Sequence, residues 1–251
     1  MVVVSVVNQK GGVGKTTTAV NLAYQLSQLS KTLIIDLDPQ GNAGSGLGVE
    51  RYNEKKSIFI SEVDISQLIK KTSVAKLFIL PSSLDLIGID GVLSENDNRS
   101  FILKQKILSL ENDFDYIIID CPPSLGILTV NSLVASNYMI IPVQAEYYAL
   151  EGLSQLLDTF SSIKMSLNPD LEILGVLMTL YDKRTTLNQQ VKEEVNKYFG
   201  DKIFKSIIPR NIRLAEAPSY GLSIFEYDKW SKGAKAYKNF SKEVIDKIKN
   251  K

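Results

Sequence analysis

Asn8-Gln9-Lys10-Gly11-Gly12-Val13-Gly14-Lys15-Thr16-Thr17 follows an apolar run, Val2, Val3, Val4, Val6 and Val7, and precedes an amphipathic stretch. Strand, glycine-rich turn and helix in that order predict a phosphate-binding loop over residues 10–17. Gly11, Gly12, Val13 and Gly14 curl so that backbone N–H groups point inward, the N-terminus of the next helix adds positive dipole, and Lys15 supplies a point charge for β- and γ-phosphates. The hydroxyl of Thr16 is placed to ligate Mg²⁺, with Thr17 beside it in the same loop. A glycine-rich turn with incidental lysines is the bland alternative. It loses ground because two acidic motifs follow where the chemistry of a nucleotide site needs them.

The common pattern G-x-x-x-x-G-K-[ST] has glycine where this chain has Gln9, and it gives no weight to the next position, where this chain has Lys10. The form K-G-G-x-G-K-[ST] resembles the deviant Walker A motif of the ParA/MinD family of P-loop ATPases. That resemblance implies ATP and Mg²⁺ as cofactors. It also implies a role for Lys10 that spacing alone does not supply, in which this lysine reaches across a nucleotide-sandwich dimer to the partner's phosphates.

Short β-branched apolar runs alternate with helical patterns. Residues 2–7, 32–36, 77–80, 116–120, 138–143, 171–180 and 203–208 read as strands, nearly continuous in apolar residues as strands covered on both faces are. Helices are predicted over 16–29, 99–110, 150–165, 187–199 and 232–248. The alternation predicts an α/β fold, a doubly wound and mostly parallel sheet flanked by helices, with ligands at the carboxyl ends of the strands. Residues 42–75 are less regular and read as an excursion near the site. A single domain over 1–251 is expected.

Two of the strands end in carboxylates. Ile34-Ile35-Asp36-Leu37-Asp38-Pro39-Gln40-Gly41 places Asp36 and Asp38 at the end of the second strand. Either could be an ordinary turn residue before Pro39, but the string resembles the family's switch I, which implies that Asp38 positions the attacking water at the metal and that Asp36 supports the metal shell. Tyr116-Ile117-Ile118-Ile119-Asp120-Cys121-Pro122-Pro123-Ser124 has the form of a Walker B strand, with Asp120 emerging to hold Mg²⁺ through water. Thr16, Asp38 and Asp120 are thus the expected metal group. Cys121 reads as a small buried residue, since the chain has no histidine to activate it.

Composition excludes several chemistries. With no histidine and one cysteine, the chain has no Ser-His-Asp or Cys-His apparatus, no imidazole zinc site and no intramolecular disulfide. No run approaches the length of a membrane span, and the apolar start lacks a basic leader, so a cytoplasmic protein is expected. The net charge of +1 conceals an asymmetry. Residues 1–182 carry 13 Lys/Arg against 20 Asp/Glu, whereas residues 183–251 carry 16 against 8. A basic last quarter suits a polyanion, although basic runs are often solvated helix faces.

The segments Val143-Gln144-Ala145-Glu146-Tyr147-Tyr148-Ala149-Leu150-Glu151-Gly152 and Ile208-Pro209-Arg210-Asn211-Ile212-Arg213-Leu214-Ala215-Glu216-Ala217-Pro218 extend the resemblance to essentially the whole chain, toward small chromosomal ParA (Soj-type) proteins. The resemblance implies that Pro209 and Asn211 contact the adenosine and that Arg184 and Arg213 bind DNA without sequence preference. Lys229, Lys232 and Lys235 are further candidates, with solvated surface charge as their alternative. A MinD-like membrane helix is not expected, because the apolar stripe Tyr237, Phe240, Val244, Ile245 and Ile248 suits packing on the sheet. A helix-turn-helix ahead of Val2 and a cysteine-held cluster are disfavoured as well. The expected function is ATP-dependent homodimerisation on double-stranded nucleoid DNA, reversed when a ParB-type centromere-binding protein stimulates hydrolysis. The alternative is a MinD-like positioning ATPase acting on a membrane or protein scaffold. Metabolic transfer to a small molecule has no supporting motif.

Overall fold

The computed structural model describes the chain apart from residues 54–55, 61–63 and 147–148, and the side chains of 149–152. Eight strands form one sheet: β1 Val2–Val6, β2 Thr32–Asp36, β3 Lys70–Lys71, β4 Leu77–Leu80, β5 Tyr116–Asp120, β6 Tyr138–Gln144, β7 Glu172–Tyr181 and β8 Ile203–Pro209. Their order is β3-β4-β2-β5-β1-β6-β7-β8, parallel throughout except where β3 runs antiparallel to β4.

The reason for the doubly wound architecture is visible in β2 and β5. Side chains alternate between faces along a strand, so a strand covered on both sides must be apolar at every position. Ile35, Ile117 and Ile119 enter the core on one face, with Leu103, Leu133 and Leu156. Ile34 and Ile118 enter the core on the other, with Leu22, Leu26, Tyr237 and Phe240. The main helices supplying these two layers are α1 Lys15–Ser27, α2 Ile102–Leu108, α3 Ile127–Ala135, α4 Ala149–Ser166, α5 Thr186–Phe199 and α6 Lys232–Lys249.

All seven predicted strands and five predicted helices are present, with shifted ends. The two-residue β3 is charged and too short for any apolar alternation, and α3 is short and buries polar Thr129, Asn131 and Ser132 as well as Leu128, Leu133 and Val134, so its polarity pattern does not mark a helix with one apolar face. The stretch after β2 holds a helical turn at Asn42–Ser45, a second at Ile65–Leu68, and a bridge from Tyr52 to Ser83 before the sheet resumes.

α6 stays on the sheet. Its Phe240 ring meets Phe204 of β8 edge-on at 4.9 Å, and the Tyr237 hydroxyl lies 3.0 Å from Thr18 Oγ1 on α1. The predicted stripe is therefore core at Tyr237, Phe240 and Val244. β1 lies between β5 and β6, where the chain's winding reverses, and the β1–α1 turn opens at the carboxyl edge there.

Candidate active site

The 10–17 loop joins β1 to α1 at that edge. Gly12 and Gly14 have φ of +74° and +87°, a region that favours glycine, and nothing lies within 4 Å of where a side chain on Gly11 or Gly12 would begin. A phosphate can therefore approach the backbone closely. Gly14 is the N-cap of α1 and no side chain caps the helix, so its first-turn N–H groups are free of side-chain acceptors. Thr179 of β7 anchors the loop from the side, its Oγ1 donating to Val13 O at 2.7 Å.

Lys15 is 6% exposed and its Nζ donates to Lys10 O at 3.1 Å. Burial draws its ammonium below the ordinary lysine value, and Asp120 is the first of the groups that oppose this. Lys10 behaves differently. Its Nζ sits 2.5 Å from Glu146 Oε2, and Glu146 Oε1 accepts from Gln144 Nε2 at 2.5 Å. The lysine predicted to act on a partner is held by its own chain. Glu146 lay within a segment quoted above but carried no predicted role; the neighbouring Tyr147 and Tyr148 lie outside the described residues.

Opposite the loop, β2 and β5 end side by side with Asp36 in register with Asp120. Asp36 is 1% exposed and serves the backbone, accepting from Asp38 N at 3.2 Å and Gly44 N at 3.0 Å. Burial pushes its carboxyl up to about 7. Asp38 lines the cavity described below, with Oδ1 accepting from Gln40 N at 2.9 Å. Asp120 is fully buried, and neither of its carboxylate oxygens has a hydrogen-bond partner among the described residues. Burial raises its carboxyl well above the usual range, Asp36 adds to this, and the Thr16 hydroxyl pulls the other way. Orphaned buried carboxylate oxygens beside a threonine hydroxyl fit a hard cation held partly through water. Among the described residues no three Asp, Glu, Cys or His side chains converge into a cage. Mg²⁺ suits such a place, because it prefers one or two protein ligands completed by water and phosphate.

A cavity of about 480 Å³ runs from Gly11–Thr17 past Asp38 to Leu214, Pro218 and Leu222. Its charged end matches a phosphate chain and its apolar end a planar base. Leu214 and Pro218 belong to a segment quoted above without a role for either. Pro209 and Asn211 do not line this cavity. Pro209 faces a second one, and Asn211 presents a buried Oδ1 with no hydrogen-bond partner among the described residues.

That second cavity, about 1060 Å³, is a basic cleft walled by the turn after β7, by β8 and by the start of α6. It brings Arg184 and Lys232 together and adds Lys183, Lys205 and Arg210, which spacing did not single out. Only the sheet order makes these residues neighbours. Arg184 pairs there with Asp182, whose carboxyl it holds down to about 2. Arg213 and Lys229 lie outside the cleft lining. Arg213 pairs with Glu216 at 3.0 Å and Asp228 at 3.7 Å, and Lys229 Nζ is 5.5 Å from the centre of the exposed Trp230 ring. Lys235 is exposed on α6.

Residues 1–173 match the family model described as "AAA domain". The chain is 50% identical to the sporulation initiation inhibitor protein Soj of Bacillus subtilis, over 96% of this chain and 97% of that one. It is 47% identical to the chromosome partitioning protein ParA of Myxococcus xanthus, over 97% and 87% respectively. Among solved structures it resembles cobyrinic acid a,c-diamide synthase of Mycobacterium smegmatis with a bound ATP analogue and magnesium. The TM-score is 0.88 and the identity 36%, over 99% of this chain and 96% of that one.

Proposed function

The chain belongs to the Soj/ParA family of P-loop ATPases, and on that premise we propose that it partitions DNA by an ATP-driven cycle of assembly and release. It is an ATPase whose cofactors are ATP and Mg²⁺. Gly11–Thr17 cradle the phosphates, with Lys15 as the fixed charge. Thr16 and Asp120 would hold the metal, with Asp38 beside them, and the metal would supply positive charge to the phosphates. Asp38 also orients the attacking water, as its place on the cavity wall beside the loop allows. Leu214, Pro218 and Leu222 form the apolar end that takes the base, whereas Pro209 and Asn211, which stand outside that lining, are not assigned to the adenosine.

ATP binding brings two copies together, and Lys10 exchanges Glu146 for the partner's phosphates. The dimer grips double-stranded DNA through Arg184, Lys232, Arg213 and Lys229, which places it on the nucleoid. A ParB-type centromere-binding partner stimulates hydrolysis, and the dimer releases. The basic cleft carries this reading: five cations converge on one groove in a chain whose overall charge is only +1. The 50% identity to Soj, against 36% to the diamide synthase, favours partitioning over small-molecule chemistry. No described helix is long and apolar enough to cross a membrane, and the apolar side of α6 is spent on β8 and α1.

Co-sedimentation with random duplex DNA and with anionic phospholipid vesicles, each with ATP and with ADP, tests the proposal. ATP-dependent recovery with DNA is expected. Recovery with vesicles alone would replace partitioning by a membrane-positioning role.

A further inference from the structure

Two hydrogen-bonded links run from the phosphate loop to the basic cleft, and both pass through the turn that follows β7. The first is β7 itself. Thr179 holds Val13 of the loop, and the next residue, Leu180, has φ +50°, the sole positive φ at a non-glycine position among the described residues. The strand ends at Tyr181, opposite Pro209 of β8, and Tyr181, Asp182 and Arg184 line the cleft, tied to its far wall by Arg210 N donating to Tyr181 O at 3.2 Å.

The second link begins at Lys10. Its carboxylate partner Glu146 follows Ala145, whose carbonyl oxygen accepts from Asn188 Nδ2 at 2.8 Å. Asn188 Oδ1 accepts in turn from Asp182 N at 2.7 Å. Asp182 grips Arg184, accepting from its Nη2 at 2.7 Å and from its Nε and backbone N at 3.0 Å. An asparagine whose donor and acceptor are both spent on backbone groups of two separate segments is a strut, so that displacing one segment displaces the other. Arg184 is 89% exposed in its side chain, and exposed ion pairs of this kind are weak. A small displacement of Asp182 therefore suffices to exchange it for a phosphate.

We propose that the 179–188 segment, with Asn188 as its strut, couples the Lys10–Glu146 contact to the basic cleft. When Lys10 leaves Glu146, the loop holding Ala145 rearranges, Asn188 carries the change to Asp182, and Arg184 is freed to bind a DNA phosphate. This rests on the partitioning reading above and states how its DNA site is regulated, separately from the avidity that dimerisation brings.

The test uses the full chain carrying Asp38→Ala, which is expected to slow turnover. Affinity for a random duplex is measured with ATP and with ADP, and self-association by sedimentation velocity, with and without Asn188→Ala. The ATP-to-ADP affinity ratio is expected to fall at least about fivefold, the lower end of ordinary coupling between sites, while ATP binding and dimerisation persist. Thr179→Val, which keeps the shape and removes the hydroxyl, should lower the same ratio, and it serves where Asn188→Ala does not fold. A ratio unchanged in both variants overturns the coupling. So does a fall matched by loss of the dimer, because assembly alone would then account for it. Absence of DNA binding by the parent in either nucleotide is a separate result, which removes the partitioning reading itself.

Discussion

Lys15 lies buried beneath the loop with Asp120 nearby, a charge kept out of water until phosphate arrives. Lys15→Ala removes a charge-assisted hydrogen bond worth about 1.5–3 kcal/mol, and ATP affinity in Mg²⁺ should fall roughly 10- to 150-fold by the same measure. Isothermal titration checks this, and wild-type affinity in the variant would contradict the loop assignment. Asp38 is a different case, because it faces the cavity without holding the loop together. Asp38→Ala is expected to bind ATP normally and to lose turnover by about 10²–10⁴-fold, as removal of a general base does. Size-exclusion chromatography with ATP should show a persistent dimer, and a monomer with normal turnover would rule out the role. Cys121 tests burial alone. Its thiol is fully buried, lies 3.0 Å from Ser132 Oγ and is pushed up to about 12. Burial thus keeps the thiol protonated and unreactive at pH 8. Alkylation by iodoacetamide should be negligible in the folded protein and rapid in urea.

At the scale of elements, the contact between β7 and the segment leading into β8 leaves no room at Gly175. A methyl group there would lie 2.7 Å from Lys202 O and 2.7 Å from the Phe204 ring, and the backbone oxygen cannot swing aside. Gly175→Ala should cost about 1–3 kcal/mol as an overpacked core does. It should lower the urea midpoint with the slope unchanged. ATP affinity, measured below the transition, is expected to stay near wild type because Gly175 does not line the nucleotide cavity. An unchanged midpoint would mean that β7 and β8 separate more easily than this packing implies. The same two strands set the walls of the basic cleft, so their tight approach is also a condition for its shape.

For the whole molecule, the opposed charges of its two unequal parts become a geometry. The basic last quarter is not spread evenly; five of its cations line one cleft while Arg213 and Lys229 stand apart among acidic and aromatic neighbours. Arg184→Glu combined with Lys232→Glu should weaken DNA binding equally on unrelated sequences. The log–log salt slope should flatten by about 0.9 for each DNA phosphate that the variant no longer neutralises. Filter binding over a salt series measures both, with nucleotide affinity expected to remain at the wild-type value. An unchanged slope would move the DNA surface to the side that carries Arg213.

The phosphate loop, the acidic strand ends and the doubly wound sheet were legible in the chain because each is a local pattern. A glycine-rich turn with a lysine and a threonine between an apolar strand and a helix, followed by two acidic strand ends, reads as a phosphate loop, and strands buried on both faces announce themselves by unbroken apolar runs. What Lys10 and Asp120 are bonded to was not legible. Lys10 meets Glu146, 136 positions away, only because β6 lies beside β1, and Asp120 has no hydrogen-bond partner among the described residues because β5 is enclosed between β2 and β1. The cleft was likewise hidden. Lys183, Arg184, Lys205, Arg210 and Lys232 are scattered over fifty positions, and it is the parallel β7–β8 pairing, with α6 laid across it, that brings their charges to one groove. Local backbone chemistry is written in neighbouring residues, whereas the electrostatics of a site depends on distances that long-range strand pairing alone decides.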